Sequence, residues 1–561
     1  MRGLYSLFAR GPMYIIMKEK RSIATILFIS LLLFASDSHS LPLSTRGRWV
    51  VDDASGQRVK LACVNWISHL QAMVVEGLHK RPLREIAGGI TAMGFNCVRL
   101  TWATYMFTRP SYGNRSVAES LGELGLSEAK EGVARNNPEL LNLSLVEAYE
   151  AVVDELGRHG VMVVLDNHVS KPKWCCAEDD GNGFFGDKYF HPKEWLQGLT
   201  KVAHRFKDKS QVVAMSMRNE LRGPNQTEHI WYKQIRKGGR TIHSINPNLL
   251  VIVSGLEFDT DLSFLKQKPL KLKLPNKVVF EAHWYSFSSI TGGVEWTEQP
   301  LNQICHNRTE WFESGAAFVG TGSNPAPFFL SEFGIDLRGV NPRDNRFFGC
   351  FLAFVAQRDL DWALWTLQGS YYYRDGVVGQ EETYGVLDYN WDKPRNPKFL
   401  KRIRILQDIL QDPNSNVPKY HLIFHPRSGR CVSVKGEGQD QIHGRNCKKG
   451  SRWSHDGNGG AIRLMGSGLC LKAVGDGLPA KLSTDCSSPQ ARWKLISKSK
   501  LHIAAMDEQG KPLCLDGKNS NSSSILTRTC ICALQDGDGS DLDCLTNPQR
   551  QWFKFVPSNL P

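Results

Sequence analysis

Eight short apolar runs, each separated from the next by an intervening segment, constrain this chain more than any other feature. They are Lys60–Trp66, Cys97–Trp102, Val161–His168, Val212–Glu220, Leu249–Gly255, Val278–Tyr285, Phe328–Gly334 and Asp361–Gly369. A continuous apolar run that ends in polar residues reads as a strand buried on both faces. Amphipathic stretches lie between them, among them Leu83–Met93, Leu145–Gly160, Trp195–Phe206, Glu228–Asn246 and Arg343–Gln357. Strand and helix alternating eight times predict an α/β chain, a (β/α)8 TIM barrel. Gly113–Asn142 and Ser170–His191 read as long insertions after strands, on the face where such barrels carry their chemistry. Before the first strand, Arg46–Val59 reads as a hairpin around Asp53-Ala54-Ser55-Gly56.

At 561 residues the chain exceeds one ordinary domain. The barrel is assigned to residues 41–411, a linker to 412–418 with breakers at Pro413 and Pro418, and a second domain to 419–561. Net charge is +13, without a long Lys/Arg block, so no nucleic-acid partner is expected. At the N-terminus, Lys18–Arg21 precedes the apolar Ile23–Ala35 and the small residues around Ser40. That order reads as a secretory signal over residues 1–40, with Met1 or Met17 as the start, and predicts a secreted, extracellular protein without a membrane anchor after cleavage. Six cysteines lie between Cys63 and Cys350 and eight between Cys431 and Cys544, an even count that suits disulfides in an exported chain. No C-x-x-C pair or His cluster accompanies them, and no metal or cofactor is expected. The vicinal Cys175 and Cys176 are each expected to bridge elsewhere. Sequons begin at Asn114, Asn142, Asn225, Asn307 and Asn521.

The tail repeats. Cys431 and Cys447 are 16 residues apart, as are Cys470 and Cys486, and Cys514 and Cys530. Each first Cys follows a turn, and each second Cys is followed by a tripeptide ending in Trp: Ser451-Arg452-Trp453, Ala491-Arg492-Trp493 and Arg550-Gln551-Trp552. Three copies predict three similar β units around one core, with Cys431–Cys447, Cys470–Cys486 and Cys514–Cys530 as disulfide candidates. The third copy is stretched by a segment that Cys532–Cys544 would close.

Polar and aromatic residues gather where the barrel runs end: Arg99, Asp166-Asn167-His168, Asn219-Glu220, His283-Trp284-Tyr285, Glu332 and Trp365. Two glutamates at two strand exits can supply the acid/base and the nucleophile of a glycosidase. Either alone also reads as a surface or ion-pair carboxylate. Arg99, His168, Asn219-Glu220, His283-Trp284-Tyr285, Glu332 and Trp365 together resemble, in order, the pattern of glycoside hydrolase family 5. The resemblance implies Glu220 as acid/base, Glu332 as nucleophile and Trp365 as the floor under the reacting sugar. Many members carry an aromatic residue where this chain has Arg218. The tail resembles the ricin-B-type β-trefoil lectins, although the Gln of their Gln-x-Trp motif is replaced in all three copies. In that family an Asp shortly after the first Cys binds galactose. Ser433 and Lys472 stand there in the first two copies, and Asp516 in the third is the possible lectin site.

The chemistry sets further expectations. Arg99 beside Glu332 would hold it ionised, while burial and negative charge would raise Glu220. Asn219 is suited to the sugar 2-hydroxyl, Tyr285 to Glu332, and His168 and His283 to sugar hydroxyls or proton tuning. Trp102, Tyr105 and Trp284 either line subsites or fill the barrel mouth. The reading is a monomeric, retaining β-glycoside hydrolase acting on a β-1,4-linked polysaccharide, endoglucanase-like, with a second glycan possible on the tail. An endo-β-mannanase, a transglycosylase and a non-catalytic carbohydrate-binding protein are the alternatives.

Overall fold

In the computed structural model, residues 42–434, 442–517, 524–533 and 548–561 are described. Eight parallel strands close into a barrel in sequence order: β1 Ala62–Trp66, β2 Cys97–Ala103, β3 Met162–Val169, β4 Val212–Ser216, β5 Leu250–Val253, β6 Val278–His283, β7 Phe328–Phe333 and β8 Asp361–Leu364, with β8 pairing back onto β1. All eight predicted runs supply a strand.

Alternation along the strands sorts side chains to the two faces. Cys63, Cys97, Val164, Ala214, Ile252, Phe329 and Ala363 fill the barrel interior. Val64, Val98, Leu165, Met215, Val251 and Leu330 face outward into the core shared with the helices. The outer layer includes α1 Leu83–Ala92, α2 Leu145–Arg158, α3 Pro192–Arg205, α4 Glu228–Ile245, α5 Leu301–Gly315, α6 Pro342–Arg358 and α7 Pro397–Gln407. Local signals agree with tertiary packing. Ser144 caps α2 in a reciprocal box with Glu147, and Pro342 opens α6 behind the Asn341 cap.

The N-terminal hairpin closes the bottom of the barrel. Leu43–Arg46 pairs with Trp49–Asp52, and Leu43, Val50 and Val59 enter the interior core. The tight turn falls at Gly47, where φ is +56°, and the expected Asp53–Gly56 turn follows as a second reversal. Ion pairs Arg58–Asp361 (2.7 Å) and Lys60–Asp359 (2.6 Å) hold the hairpin exit to β8. The Gly113–Asn142 insertion is helical, over Val117–Glu123 and Ser127–Asn136. Among the described residues, no helix is long and apolar enough to cross a membrane.

After α7 the chain becomes all β. The described strands form one antiparallel network, in which Tyr420–His425 pairs with Lys554–Ser558 near the chain end. The repeat is visible in its core. Val432 and Leu471, each following the first Cys of a copy, pack with Leu515, Ile423, Ile462 and Ile503. Trp453 Nε1 donates to the Val432 carbonyl (3.2 Å) and Trp493 Nε1 to the Leu471 carbonyl (2.8 Å). The third copy breaks the pattern. Trp552 leaves this core for the barrel core and donates to Asn302 Oδ1 on α5 (3.1 Å), while Phe553 packs with the β core.

Disulfides join Cys431–Cys447, Cys470–Cys486 and Cys514–Cys530 in the tail, and Cys63–Cys97 and Cys305–Cys350 in the barrel. Cys175 bonds Cys176, against expectation. The other four barrel cysteines are consumed by each other, so the vicinal pair has only itself. The expected Cys532–Cys544 closure involves Cys544, which lies outside the described residues.

Candidate active site

The interior changes character toward the C-terminal ends of the strands. Two residues above Cys97, on the same face of β2, stands Arg99. It is fully buried and joins three strands. Nη1 donates to Glu332 Oε1 (2.7 Å) and Asn65 Oδ1 (2.9 Å), and Nη2 donates to Asn219 Oδ1 (2.8 Å) and lies 3.0 Å from Asp166. The guanidinium thus locks the nucleophile candidate, the Asn219-Glu220 pair and β3 into one frame.

Glu220 leaves β4 at φ +36°, a left-handed conformation uncommon for a side-chain-bearing residue. Arg222 Nη1 donates to its carbonyl (2.7 Å), and Arg222 Nη2 pairs with Asp180. Between the two glutamates stands His283, whose Nδ1 is 2.9 Å from Glu220 Oε1 and 3.7 Å from Glu332 Oε2. One carboxylate oxygen of Glu220 lies within 4.8 Å of one on Glu332. Tyr285 Oη donates to Glu332 Oε2 (2.9 Å). Strand exits four, six and seven therefore converge.

Burial raises both carboxyls. Glu220 is pushed up to about 7, against the pull of Arg222 and Arg99. Glu332 is pushed up to about 6, restrained by His283 and Arg99. Arg99 therefore limits the rise at Glu332, where the sequence suggested a simple lowering. His283 and His168 are driven down by burial. His168 Nδ1 meets Asp166 Oδ2 at 2.6 Å, and its ring stacks between His69 (4.0 Å) and Trp365 (5.5 Å).

Both glutamates line an open cleft of about 1250 Å³, with His168, His283, Tyr285 and Trp365. The lining also includes Trp174, with the guanidinium of Arg374 3.4 Å over its ring, and the exposed Phe287 and Ile290. Trp284 and Trp102 are fully buried, Trp284 stacking on Phe312 and Trp102 against Phe107, so both face outward into the core shared with the helices and neither lines a subsite nor fills the barrel mouth. Tyr105 is likewise buried, under Arg109. Arg218 points away from the cleft: it donates to Asn167 and Ser170 (both 3.1 Å) and to the Asn182 carbonyl, tying down the long loop after β3.

The sequence reading passed over Asn65, His69, Arg222, Asp259 and Glu281, and named Asp166 at a strand end without giving it a role. Asn65 and Glu281 are polar residues inside apolar runs, and Glu281 sits two before His283 on the same strand face, which is the signal that could have found it. Below His283, Nε2 is 3.6 Å from Asp259 Oδ2; burial raises both Asp259 and Glu281, helped by the charge of Glu281 at Asp259 and of Asp166 at Glu281. Donor atoms also gather at His168–Cys175–Cys176, but the two sulfurs are bonded to each other and offer no thiolate. Asp516, far along the chain, is 1% exposed; its Oδ2 accepts from Gln551 Nε2 (3.1 Å) and is ion-paired with Arg550, 3.0 Å from Nε. That carboxylate is taken up inside the β region rather than presented to solvent.

A family model described as Cellulase (glycosyl hydrolase family 5) matches residues 53–370. The chain belongs to glycosyl hydrolase family 5. A "Glycosyl hydrolase 5 family protein" from Chamaecyparis obtusa is 48% identical over 544 residues, covering 94% of this chain and 95% of that relative. An "Endoglucanase" from Paenibacillus polymyxa is 20% identical over 387 residues, covering 65% of this family 5 chain and 87% of the relative. The structure of an endocellulase from Pyrococcus horikoshii in complex with cellotetraose shares the fold, with a TM-score of 0.51, 21% identity, and coverage of 66% of this chain and 99% of that one.

Proposed function

We propose that the protein is a secreted, retaining, endo-acting hydrolase of β-1,4-linked glucan. The observation that carries this reading is the spacing of Glu220 and Glu332, oxygen to oxygen within 4.8 Å. Carboxyl groups about 5–5.5 Å apart leave no room for a water between nucleophile and sugar, which is the retaining geometry. Glu332 attacks the anomeric carbon and forms a glycosyl ester. Glu220 gives its proton to the leaving oxygen. Water, deprotonated by Glu220, then cleaves the ester and restores both groups.

The electrostatics suit these roles. Glu332 at about 6 is mostly ionised at pH 7, and Glu220 at about 7 keeps a substantial protonated fraction. Arg99 and Tyr285 hold Glu332 in line, Asn219 is fixed by Arg99 for the 2-hydroxyl, and Trp365 floors the cleft. The cleft volume of about 1250 Å³ exceeds that of ordinary small-ligand pockets, which supports internal attack on a polymer. Glucan is favoured by the endoglucanase and endocellulase relatives. The β region is proposed to be a ricin-B-type β-trefoil, supported by its three disulfide-bonded copies. With Asp516 already engaged, a second glycan there needs other residues.

A polysaccharide panel with anomeric analysis by NMR tests the reading. β-Anomeric product from a β-1,4-glucan is expected. No reducing ends from any glucan, or first-formed α-anomer, overturns it. Mannan as the preferred polymer moves the substrate, and products lengthened onto added acceptor sugar identify a transglycosylase.

A further inference from the structure

A second groove, of about 1360 Å³, runs where α7 and the preceding loop face residues 427–430 and 446–447 of the β region. Among the described residues, none lines both this groove and the catalytic cleft. Its wall is basic: Lys398, Lys401, Arg402 and Arg404 on α7, and Arg427 and Arg430 from the β region. Three acids share the lining. Asp336 is paired with Arg338 (2.6 Å) and Asp392 with Arg81, which leaves Glu85 as the one lining acid not ion-paired among the described residues, while Arg427 also feels Asp516. Among the described residues, Lys398, Lys401, Arg402, Arg404 and Arg430 have no carboxylate within ion-pair distance.

The cations are arranged as well as numerous. Lys398, Lys401 and Arg404 are exposed and three residues apart on one helix. Each step rises about 4.5 Å along the axis, near the length of one pyranose unit. Arg402 forms the floor. Its guanidinium lies 4.5 Å over the Phe348 ring, Nε donates to the Pro426 carbonyl (3.1 Å), and the buried Nη2 has no hydrogen-bond partner among the described residues. Burial and the neighbouring charge of Arg427 push Arg402 down to about 10, with no acid to offset them. Two guanidiniums held together over an unfilled donor suit an anion.

We propose that this groove binds a linear polyuronate, a polysaccharide with one carboxylate per sugar, along Lys398, Lys401 and Arg404 and onto Arg430. Evenly spaced single charges along a helix match such a chain better than a compact multivalent anion. Bound there, the polymer would hold the enzyme in an acidic polysaccharide matrix while the cleft stays free.

The test uses the full chain and a fluorescent oligogalacturonate, read by anisotropy at low and high salt. Saturable binding at low salt is expected, lost as salt screens the exposed cations. K398E/K401E/R404E should weaken it at least tenfold, with an unchanged unfolding midpoint. The single K401E, which leaves the apolar face of α7 intact, should weaken it too. Absence of wild-type binding, equal binding by K401E, equal binding of a neutral galactan, or tighter binding of polyphosphate each overturns the proposal. None of these readouts depends on hydrolysis, so a failed glucanase assay leaves the result interpretable.

Discussion

Glu220 and Glu332 sit on strand exits four and seven, yet His283 Nδ1 reaches both, at 2.9 and 3.7 Å. A ring nitrogen carries at most one proton, so Nδ1 can donate a hydrogen bond to only one carboxylate at a time. The shorter distance goes to Glu220, and Glu332 is instead held by Arg99 and Tyr285. Each carboxylate thus has its own support, and that division matches the two chemical roles.

The roles separate by substrate. Glu220→Gln removes the proton donor and should lower kcat on polysaccharide by about 10²–10⁴-fold. A glycoside whose leaving group needs no proton should lose much less in its first step. Glu332→Gln keeps the shape but cannot attack, and should leave both substrates uncleaved. Steady-state kinetics on glucan and on an aryl β-glycoside read the difference. Retained glucanase activity in Glu332→Gln removes the assignment of nucleophile.

The pH profile follows from the raised values. Activity needs Glu332 deprotonated and Glu220 protonated. Rate therefore rises with pH through about 6 and falls through about 7. The two groups interact, so these are apparent values of the pair. A narrow bell in kcat/KM centred between those limbs is expected. A plateau extending past pH 9 would show that Glu220 is not the titrating acid.

Tyr285 has a narrower task. Its hydroxyl is one of two donors to Glu332, the other being Arg99. A hydrogen bond to a charged group contributes about 1.5–3 kcal/mol, so Tyr285→Phe should cost about 10- to 100-fold in kcat. Losing a donor also destabilises the carboxylate, so the acidic limb should move to higher pH. An unchanged acidic limb would reduce Tyr285 to a wall of the cleft.

The barrel was legible because strands buried on both faces are written as apolar runs, and because their polar exits fall at matching positions. The glutamates, Arg99 and Tyr285 were readable for that reason. Asp166 was named at a strand end without a role and Glu281 not at all, since a single acid within a strand reads as an interruption until the register shows it beside Arg99 at 3.0 and 3.9 Å. Asp259 comes from a loop, where no period marks it. Helix α5 escaped because its buried face includes Asn302, a polar residue whose partners lie more than 190 positions away. The pairing of Cys175 with Cys176 follows only once the other cysteines have found theirs.

That same Asn302 carries the last prediction. Its Oδ1 accepts from Trp552 Nε1 (3.1 Å) and Ser499 Oγ (2.7 Å), and its Nδ2 donates to the Cys532 carbonyl (3.0 Å). Three bonds from one side chain on α5 thus reach into the β region, where Trp552 has left the repeat's own pattern. The site is 4% exposed, so water does not readily replace a lost partner. Asn302→Ala should strand the Trp552 donor and cost about 1–3 kcal/mol. The two regions share one apolar core through Trp552 and Val556, so the loss should lower the whole transition. Calorimetry of the variant should show one endotherm at lower temperature with the catalytic constants unchanged. A β-region transition that separates from an unmoved barrel transition would mean that the two fold independently and that Asn302 only decorates their boundary.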